Sequence, residues 1–243
     1  MKYLKSEHIK FKRTISNKLL CIAPLFTALF AWIVGGFSGF QYMTFYWWYS
    51  FLLPGTIAII CLLSHQKEKR AGKYFSVFSL PLDLAKFEAA KSIIITEKLL
   101  VAAVFLTALV SINNVISPQM TVYSVWQSLG GSIAVILASF WQIPLCLCLS
   151  RKTGMVLPIV LNSAWGIFSP MLLGSSSIGW LFPYCWSAKT AEILLGIKMD
   201  GTFAGNISFS YIAFIILVLS MLLFLALTWV DARGFAKQED KIE

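Results

Sequence analysis

Long apolar runs separated by short polar segments dominate this chain. The stretches Leu19–Ser64 and Leu99–Ser150 contain no Asp, Glu, Lys or Arg. A hydrocarbon core is crossed by about 20 apolar residues in a helix, and helix is expected because backbone groups in lipid must be paired within the segment. The pattern predicts an all-α protein with six transmembrane helices, at Leu19–Gly36, Phe45–Leu63, Ser92–Ile112, Val125–Leu149, Gly154–Gly174 and Ser210–Val230.

The N-terminal segment has a pattern of its own. Leu4, His8, Phe11 and Ile15 follow helical spacing, and basic residues lie towards the opposite side. This predicts an amphipathic helix over residues 1–16 that lies in the plane of the lipid headgroups. The alternative is an ordinary basic flank that only fixes topology.

Composition and charge agree with a membrane protein. Of the 243 residues, 58% are hydrophobic and 13% charged, whereas soluble domains carry about 25% charged residues. The net charge of +9 does not indicate nucleic acid, because the basic residues lie beside the ends of the apolar runs. With both termini in the cytoplasm, 18 of the 20 Lys and Arg fall on the inner side, which predicts that orientation in the cell membrane.

The chain lacks the motifs that would power or catalyse a reaction. It has no G-x-x-x-x-G-K-[ST] phosphate loop and no H-E-x-x-H metal pair. No predicted span carries a charged residue near its middle, which argues against a self-powered carrier. We therefore expect no catalytic residue, metal or cofactor on this chain, and energy for any transport from elsewhere. Gln142 and Asn162 are interpreted as hydrogen-bonding partners between helices.

The predicted cytoplasmic loop 64–98 combines charge with apolar residues. A loop that only fixes topology needs basic residues, but it does not need aromatic residues beside them. Aromatic residues next to Arg are typical of protein contacts. The loop is therefore interpreted as a docking surface for a partner, with the plain topological loop as the alternative. Ser79-Leu80-Pro81 marks the start of a new helix there, which carries Asp83, Lys86, Glu88 and Lys91.

The predicted outer segment 175–209 carries an aromatic belt around Trp180 and Trp186. Pro183 interrupts any continuous helix, and Gly196 ends one or two helical turns. A partly inserted outer hairpin is expected before the last span. A second aromatic cluster, Phe45–Tyr49, begins the second span on the same side.

Four stretches together resemble one family of transporters. They are "SEHIKFKR" near the N-terminus, "YWW" at 46–48, "EKRAGKY" at 68–74 and "LFPYCWSAKTAEILLGIKMDG" at 181–201. The whole layout is similar to an ABC-2-type permease, and more narrowly to the lantibiotic-immunity permease subunits of the MutE/EpiE kind. The resemblance implies a single permease domain over residues 1–243, with an N-terminal interfacial helix and an outer re-entrant segment before the last helix.

The resemblance also implies partners and a cargo. A cytoplasmic ABC ATPase, in two copies, would bind ATP and Mg²⁺, and a second related permease would complete the complex. The cargo would be a lanthionine-containing peptide expelled from the membrane of a Gram-positive producer, which gains self-immunity. The residues carried over as the ATPase contact are Glu68, Lys69, Arg70, Gly72, Lys73, Tyr74 and Phe75.

Substrate residues are predicted from chemistry alone. Aromatic rings at the outer surface suit a cationic, amphipathic peptide, and an outer carboxylate could meet a peptide lysine. Lipid anchoring of the rings, and a local pair between Glu192 and Lys189, are the alternatives. The candidates are Trp47, Trp48, Trp180, Phe182, Tyr184, Trp186 and Glu192.

Two other functions remain open on the sequence. The chain could serve as an ABC-2 permease for another cargo, such as a different antibiotic, a lipid or an ion. It could instead bind and sequester the peptide without transporting it, in which case it would need no ATPase.

Overall fold

The described part of the chain is almost entirely helical. The computed structural model describes residues 2–11, 14–70, 83–154, 156–205 and 210–236, and within them there is no β-strand beyond one isolated bridge between Ile197 and Phe203. The helices are α1 (Lys2–Phe11), α2 (Ile15–Trp47), α3 (Leu53–Arg70), α4 (Leu84–Ile116), α5 (Val125–Ser139), α6 (Gln142–Thr153), α7 (Val156–Leu173), α8 (Trp186–Leu195) and α9 (Tyr211–Ala236).

Helix α2 folds back on itself at Gly36. This residue has φ 58° and ψ −160°, a backbone conformation that only glycine adopts readily. The ring centroids of Phe30 and Trp47 are 4.9 Å apart, whereas a straight helix would separate residues 17 positions apart by about 25 Å. The two limbs of α2 are therefore antiparallel, and the break lies at Gly36, the residue at which the first predicted span ends. That the two limbs are separate membrane crossings stays a prediction.

Two other junctions between consecutive helices are irregular. A π-helical turn, Trp48–Leu52, connects α2 to α3. Helices α5 and α6 meet at an angle of 44°, so the predicted fourth span Val125–Leu149 is two helices with a bend rather than one straight helix.

The predicted membrane character is confirmed at the level of helix length and apolarity. Among the described residues, four helical stretches are long and apolar enough to cross a membrane, and the bent α5–α6 pair makes a fifth if it counts as one span. Only 22% of the most apolar window of α9 is buried, so most of that apolar surface faces outward, as lipid-facing helices require. The count of six crossings stays a prediction.

The bundle has two ends of different composition. One end, named here the basic end, contains α1, the last turns of α3, α6 and α9, and the first turns of α4. The other, named the far end, contains the fold-back of α2, the segment 117–124 and the segment 174–205. Lys10 meets Glu68 at the basic end, and the rings of Tyr42 and Phe203 stack at the far end.

A neutral side chain organises the far end. Gln41 is buried, and its carbonyl oxygen accepts hydrogen bonds from the backbone N–H groups of Val122, at 2.7 Å, and Tyr123, at 2.8 Å. The Tyr123 hydroxyl donates to the carbonyl of Leu195 at 2.6 Å. These bonds hold α2, the segment before α5, and α8 together.

A seam of small residues joins α3 to α7. A Cβ atom placed on Gly166 would lie 2.5 Å from the carbonyl oxygen of Ser50, and one on Gly55 would lie 3.0 Å from Ser163 Oγ. Small residues let helix backbones approach closely in a membrane. The two helices are in direct contact along this seam.

Candidate functional site

Helix α1 packs against the bundle through a face that includes a carboxylate. Glu7 and Phe11 are buried, and Leu4 is half-buried beside them. Of the predicted stripe, Leu4 and Phe11 pack against the bundle and His8 faces outward, while Ile15 is the first residue of α2 and is also exposed. That α1 lies in the plane of the lipid headgroups stays a prediction. The face of α1 that contacts the bundle includes Glu7. A carboxylate can be buried there because a lysine ammonium binds it.

That cation is Lys10, which joins α1 to α3. Its ammonium group donates hydrogen bonds to Glu7 and to Glu68, both at 2.7 Å. Lys67 in turn donates to the backbone carbonyl of Lys10 at 2.7 Å. Burial alone would lower the pKa of Lys10, but the hydrogen bonds to Glu68 and Glu7 outweigh it and raise that pKa above 10.5. This set of contacts is named here the Lys10 clamp.

Helix α1 also contacts the start of α4. The backbone N–H of Asp83 donates to the hydroxyl of Tyr3 at 3.1 Å, and the Asp83 carboxylate caps α4 by accepting from the N–H of Lys86. His8 lies 3.5 Å from Glu97. Helix α1 therefore contacts the chain immediately before residue 71 and immediately after residue 82.

The predicted loop 64–98 is mainly helical. Helix α3 continues to Arg70 and α4 begins at Leu84, and residues 71–82, which include the predicted contacts Gly72, Lys73, Tyr74 and Phe75, lie outside the described residues. Lys69 and Arg70 are exposed at the end of α3. Glu68 is only 7% exposed and is bonded to Lys10. A partner would reach it only in another conformation, so its role as an ATPase contact stays a prediction.

A buried network of four charges lies behind this surface. Arg151 of α6 donates to Glu88 of α4 at 2.5 Å and also binds Asp231 of α9, and Lys91 lies 3.1 Å from Glu88. All four side chains are 8% exposed or less, and their charges sum to zero. The network holds three helices together at the basic end.

Sequence reasoning assigned Glu88 and Lys91 to the docking helix and missed this network. The spacing of three residues between Glu88 and Lys91 indicates a helical pair. Arg151 and Asp231 each follow a long apolar run. The predicted six-span topology places both at the same membrane boundary, which is the signal that could have brought the four together.

The candidate substrate residues fall into two groups at the far end. Trp47 contacts the rings of Phe30 and Tyr46, and Trp48 is completely buried in the core. The second group, Trp180 to Trp186, packs against α7 and α8 rather than against the first. In this group, the ring of Phe182 contacts the ring of Trp165, and the ring of Tyr184 contacts the ring of Trp141.

Exposure separates the members of the second group. Trp180 is exposed and Trp186 is buried, with its indole N–H donating to the carbonyl of Trp180. The ammonium of Lys189 lies 4.4 Å from the centre of the Trp180 ring, and Glu192 is exposed. A cation–π contact thus occupies Lys189 in place of the ion pair with Glu192 that was the sequence alternative.

The predicted hydrogen bonding of Gln142 and Asn162 is confirmed. The Asn162 amide donates to the Gln142 side chain at 3.0 Å and to the carbonyl of Pro54 at 2.7 Å. The Tyr184 hydroxyl donates to the Asn162 carbonyl oxygen at 2.9 Å. This contact fixes a substrate candidate, Tyr184, to the bundle interior.

No known protein family, curated protein or solved structure matches this chain in sequence or fold.

Proposed function

We propose that this chain crosses the cell membrane six times, with the basic end in the cytoplasm. The fold-back at Gly36 divides Ile15–Arg70 into two limbs, and the bent α5–α6 pair supplies one crossing. With α4, α7 and α9 these make six. The excess of Lys and Arg at the basic end supports the orientation.

We further propose that the chain is the permease subunit of an ATP-driven exporter that expels a lantibiotic peptide from the membrane. A second, related permease and two copies of a cytoplasmic ATPase, which bind ATP and Mg²⁺, complete the complex. The cargo rests on the resemblance of the four sequence stretches. The role as a driven subunit has support from the geometry of the basic end.

The observation that carries the proposal is the Lys10 clamp together with the Tyr3–Asp83 contact. These contacts join the end of α3 and the start of α4 to one short surface helix. An ATPase that binds the segment between Arg70 and Asp83 would therefore move both helices together. Because α3 and α4 run to the far end, such a movement would reach the surface where a peptide in the outer leaflet lies.

At the far end, such a peptide would meet an exposed aromatic ring and an exposed carboxylate. Trp180 and Glu192 are exposed. Because the Trp180 ring already carries the Lys189 ammonium, the ring offers apolar contact and the Glu192 carboxylate is the group that attracts a cationic side chain. Trp48 and Trp186 are buried, so in this conformation they support the surface rather than form it.

Affinity purification of the tagged chain from its native cell in mild detergent tests the ATPase part of the proposal. We expect a stoichiometric ATPase and a second multi-span protein to co-purify. The double variant Lys69→Gln and Arg70→Gln should lose the ATPase, whereas Lys152→Gln, an exposed lysine at the same end, should keep it. A chain that purifies alone under conditions preserving known membrane complexes contradicts the exporter and favours sequestration.

The variant Glu192→Gln tests the far end. It should weaken protection against the peptide, because a surface carboxylate facing a cationic ligand is removed, and it should leave assembly with the ATPase intact. Growth inhibition at rising peptide concentrations measures the effect, with Asp200→Asn as a matched far-end control. Unchanged protection at normal protein levels removes Glu192 from the substrate surface.

A further inference from the structure

A cavity opens between α1 and α3 at the basic end. Its volume is about 350 Å³, and it lies between the junction of α1 with α2 and the last turns of α3. Phe11, Ile15 and Leu63 form its apolar wall, and Ser64, Lys67 and Arg70 line its polar side. We propose that this cavity binds the phosphate-bearing headgroup of an anionic membrane lipid.

The charge that the cavity presents to a ligand is positive. Its two carboxylates, Glu7 and Glu68, are buried and both are bonded to Lys10. Lys67 and Arg70 are exposed. Lys67 uses one of its three N–H groups on the Lys10 carbonyl, which leaves two for an anion. Lys10 offsets one of the two carboxylate charges, so with Lys67 and Arg70 the described lining has a formal charge of +1.

The helix that begins in the cavity favours the same sign of charge. Thr14 precedes α2, but its hydroxyl donates to the carbonyl of Phe11 and does not cap α2. The first turn of α2 contains no acidic residue. The N-terminal end of a helix attracts anions through its unpaired N–H groups, so this end adds to the field of Lys67 and Arg70.

An apolar track leads from the cavity into the membrane, which favours a lipid over a free phosphate ion. Ile15, in the cavity wall, is 69% exposed, and along the same limb of α2 the side chains of Ile22, Phe26 and Leu29 are exposed as well. An acyl chain attached to the headgroup would lie along these residues. Basic pockets between membrane helices on the cytoplasmic side are suited to anionic headgroups.

A bound headgroup would fill the gap beside the Lys10 clamp and hold α1 against α3. The inference goes beyond the exporter proposal: it depends on the membrane placement and not on the cargo or the ATPase. Its consequence is that the stability of the basic end rises with the content of anionic lipid in the inner leaflet.

Thermal unfolding of the purified full chain tests the site, followed by tryptophan fluorescence in neutral detergent micelles. Added phosphatidylglycerol should raise the unfolding temperature in a saturable manner, and phosphatidylcholine should not. The double variant Lys67→Gln and Arg70→Gln should require about 30-fold more phosphatidylglycerol for the same shift, since each basic residue near a membrane surface contributes about 1 kcal/mol. The matched control, Lys5→Gln with Lys152→Gln, removes two exposed charges elsewhere at the basic end and should respond as the wild type does.

A second variant tests the cavity without a change of charge. Ser64→Trp places a large side chain in the cavity and should abolish the phosphatidylglycerol shift while helical content by circular dichroism stays the same. The proposal is overturned if phosphatidylcholine is equally effective, if the control pair loses as much as the cavity pair, or if Ser64→Trp responds normally. Inorganic phosphate that gives the full shift and competes with phosphatidylglycerol overturns the lipid as ligand.

Discussion

The basic end and the far end hold their helices together in different ways. At the basic end, Arg151 and Lys10 each bridge two carboxylates on different helices. At the far end, Gln41 and Tyr123 bind backbone groups, and aromatic rings pack around them. Ion pairs between long side chains add little net stability when intact, but a lost partner is costly. Hydrogen bonds to the backbone fix a single geometry. The comparison therefore assigns to the basic end charged contacts that depend on every partner being present, and to the far end neutral hydrogen bonds to the backbone.

Removal of Arg151 should give the largest effect. Arg151→Met leaves Glu88 and Asp231 facing each other with only Lys91 to offset them, and breaking a buried pair costs about 3–5 kcal/mol. Denaturant unfolding in detergent measures the loss. The double variant Arg151→Met with Asp231→Asn restores neutrality and should recover much of it. A double variant no more stable than the single one would show that packing, and not charge, holds the network.

Removal of Gln41 should give the next largest effect. Gln41→Leu leaves the buried N–H groups of Val122 and Tyr123 without an acceptor, at a cost of about 2–3 kcal/mol. Tyr123→Phe, which removes only the bond to the Leu195 carbonyl, should cost about 1 kcal/mol. Proteolysis of the segment 117–124 in Gln41→Leu should accelerate while cleavage at the basic end stays unchanged. Equal acceleration at both ends would contradict the independence of the two regions.

Loss of the Lys10 clamp should give the smallest effect and a characteristic pH dependence. Lys10→Gln should cost about 1–2 kcal/mol, because the ammonium is partly exposed and screened. The folded state raises the pKa of Lys10 above 10.5, so its contribution is fully present below pH 10.5 and is lost as the pH rises through the raised value. The difference in unfolding temperature between wild type and Lys10→Gln should be constant from pH 7 to pH 10 and shrink above that. A difference that does not shrink as the pH rises through the raised pKa of Lys10 would contradict the clamp.

Local signals in the sequence predicted much of the fold. The apolar runs predicted the helices, and the first predicted span ends at Gly36, where the chain turns. The bond between Gln142 and Asn162 was predictable because an amide in lipid needs a partner. The bend between α5 and α6 had a signal that the single-span prediction did not use: Pro144 lies in the first turn of α6 and has no N–H to donate to the carbonyl of Phe140.

The site was harder to predict because it depends on which helix ends meet. The Arg151 network joins residues 63 and 80 positions apart, and sequence spacing carries no information about such pairs. The aromatic belt pattern correctly indicated a ring-rich far end, but it could not separate Trp48, in the core, from Trp180, at the surface. Both occur in equally apolar surroundings in the sequence.

The seam of small residues between α3 and α7 has a mechanical consequence. With Gly166 against the Ser50 carbonyl and Gly55 facing Ser163, no flexible side chain lies between the two backbones there to absorb a displacement. Helices α3 and α7 are therefore held at a fixed spacing. Helix α3 ends at Arg70, and α7 leads at Leu173 into the segment that holds Trp180. In the proposed exporter, a displacement of the end of α3 would be passed to that segment, and a larger residue at Gly166 would force the helices apart and weaken this coupling.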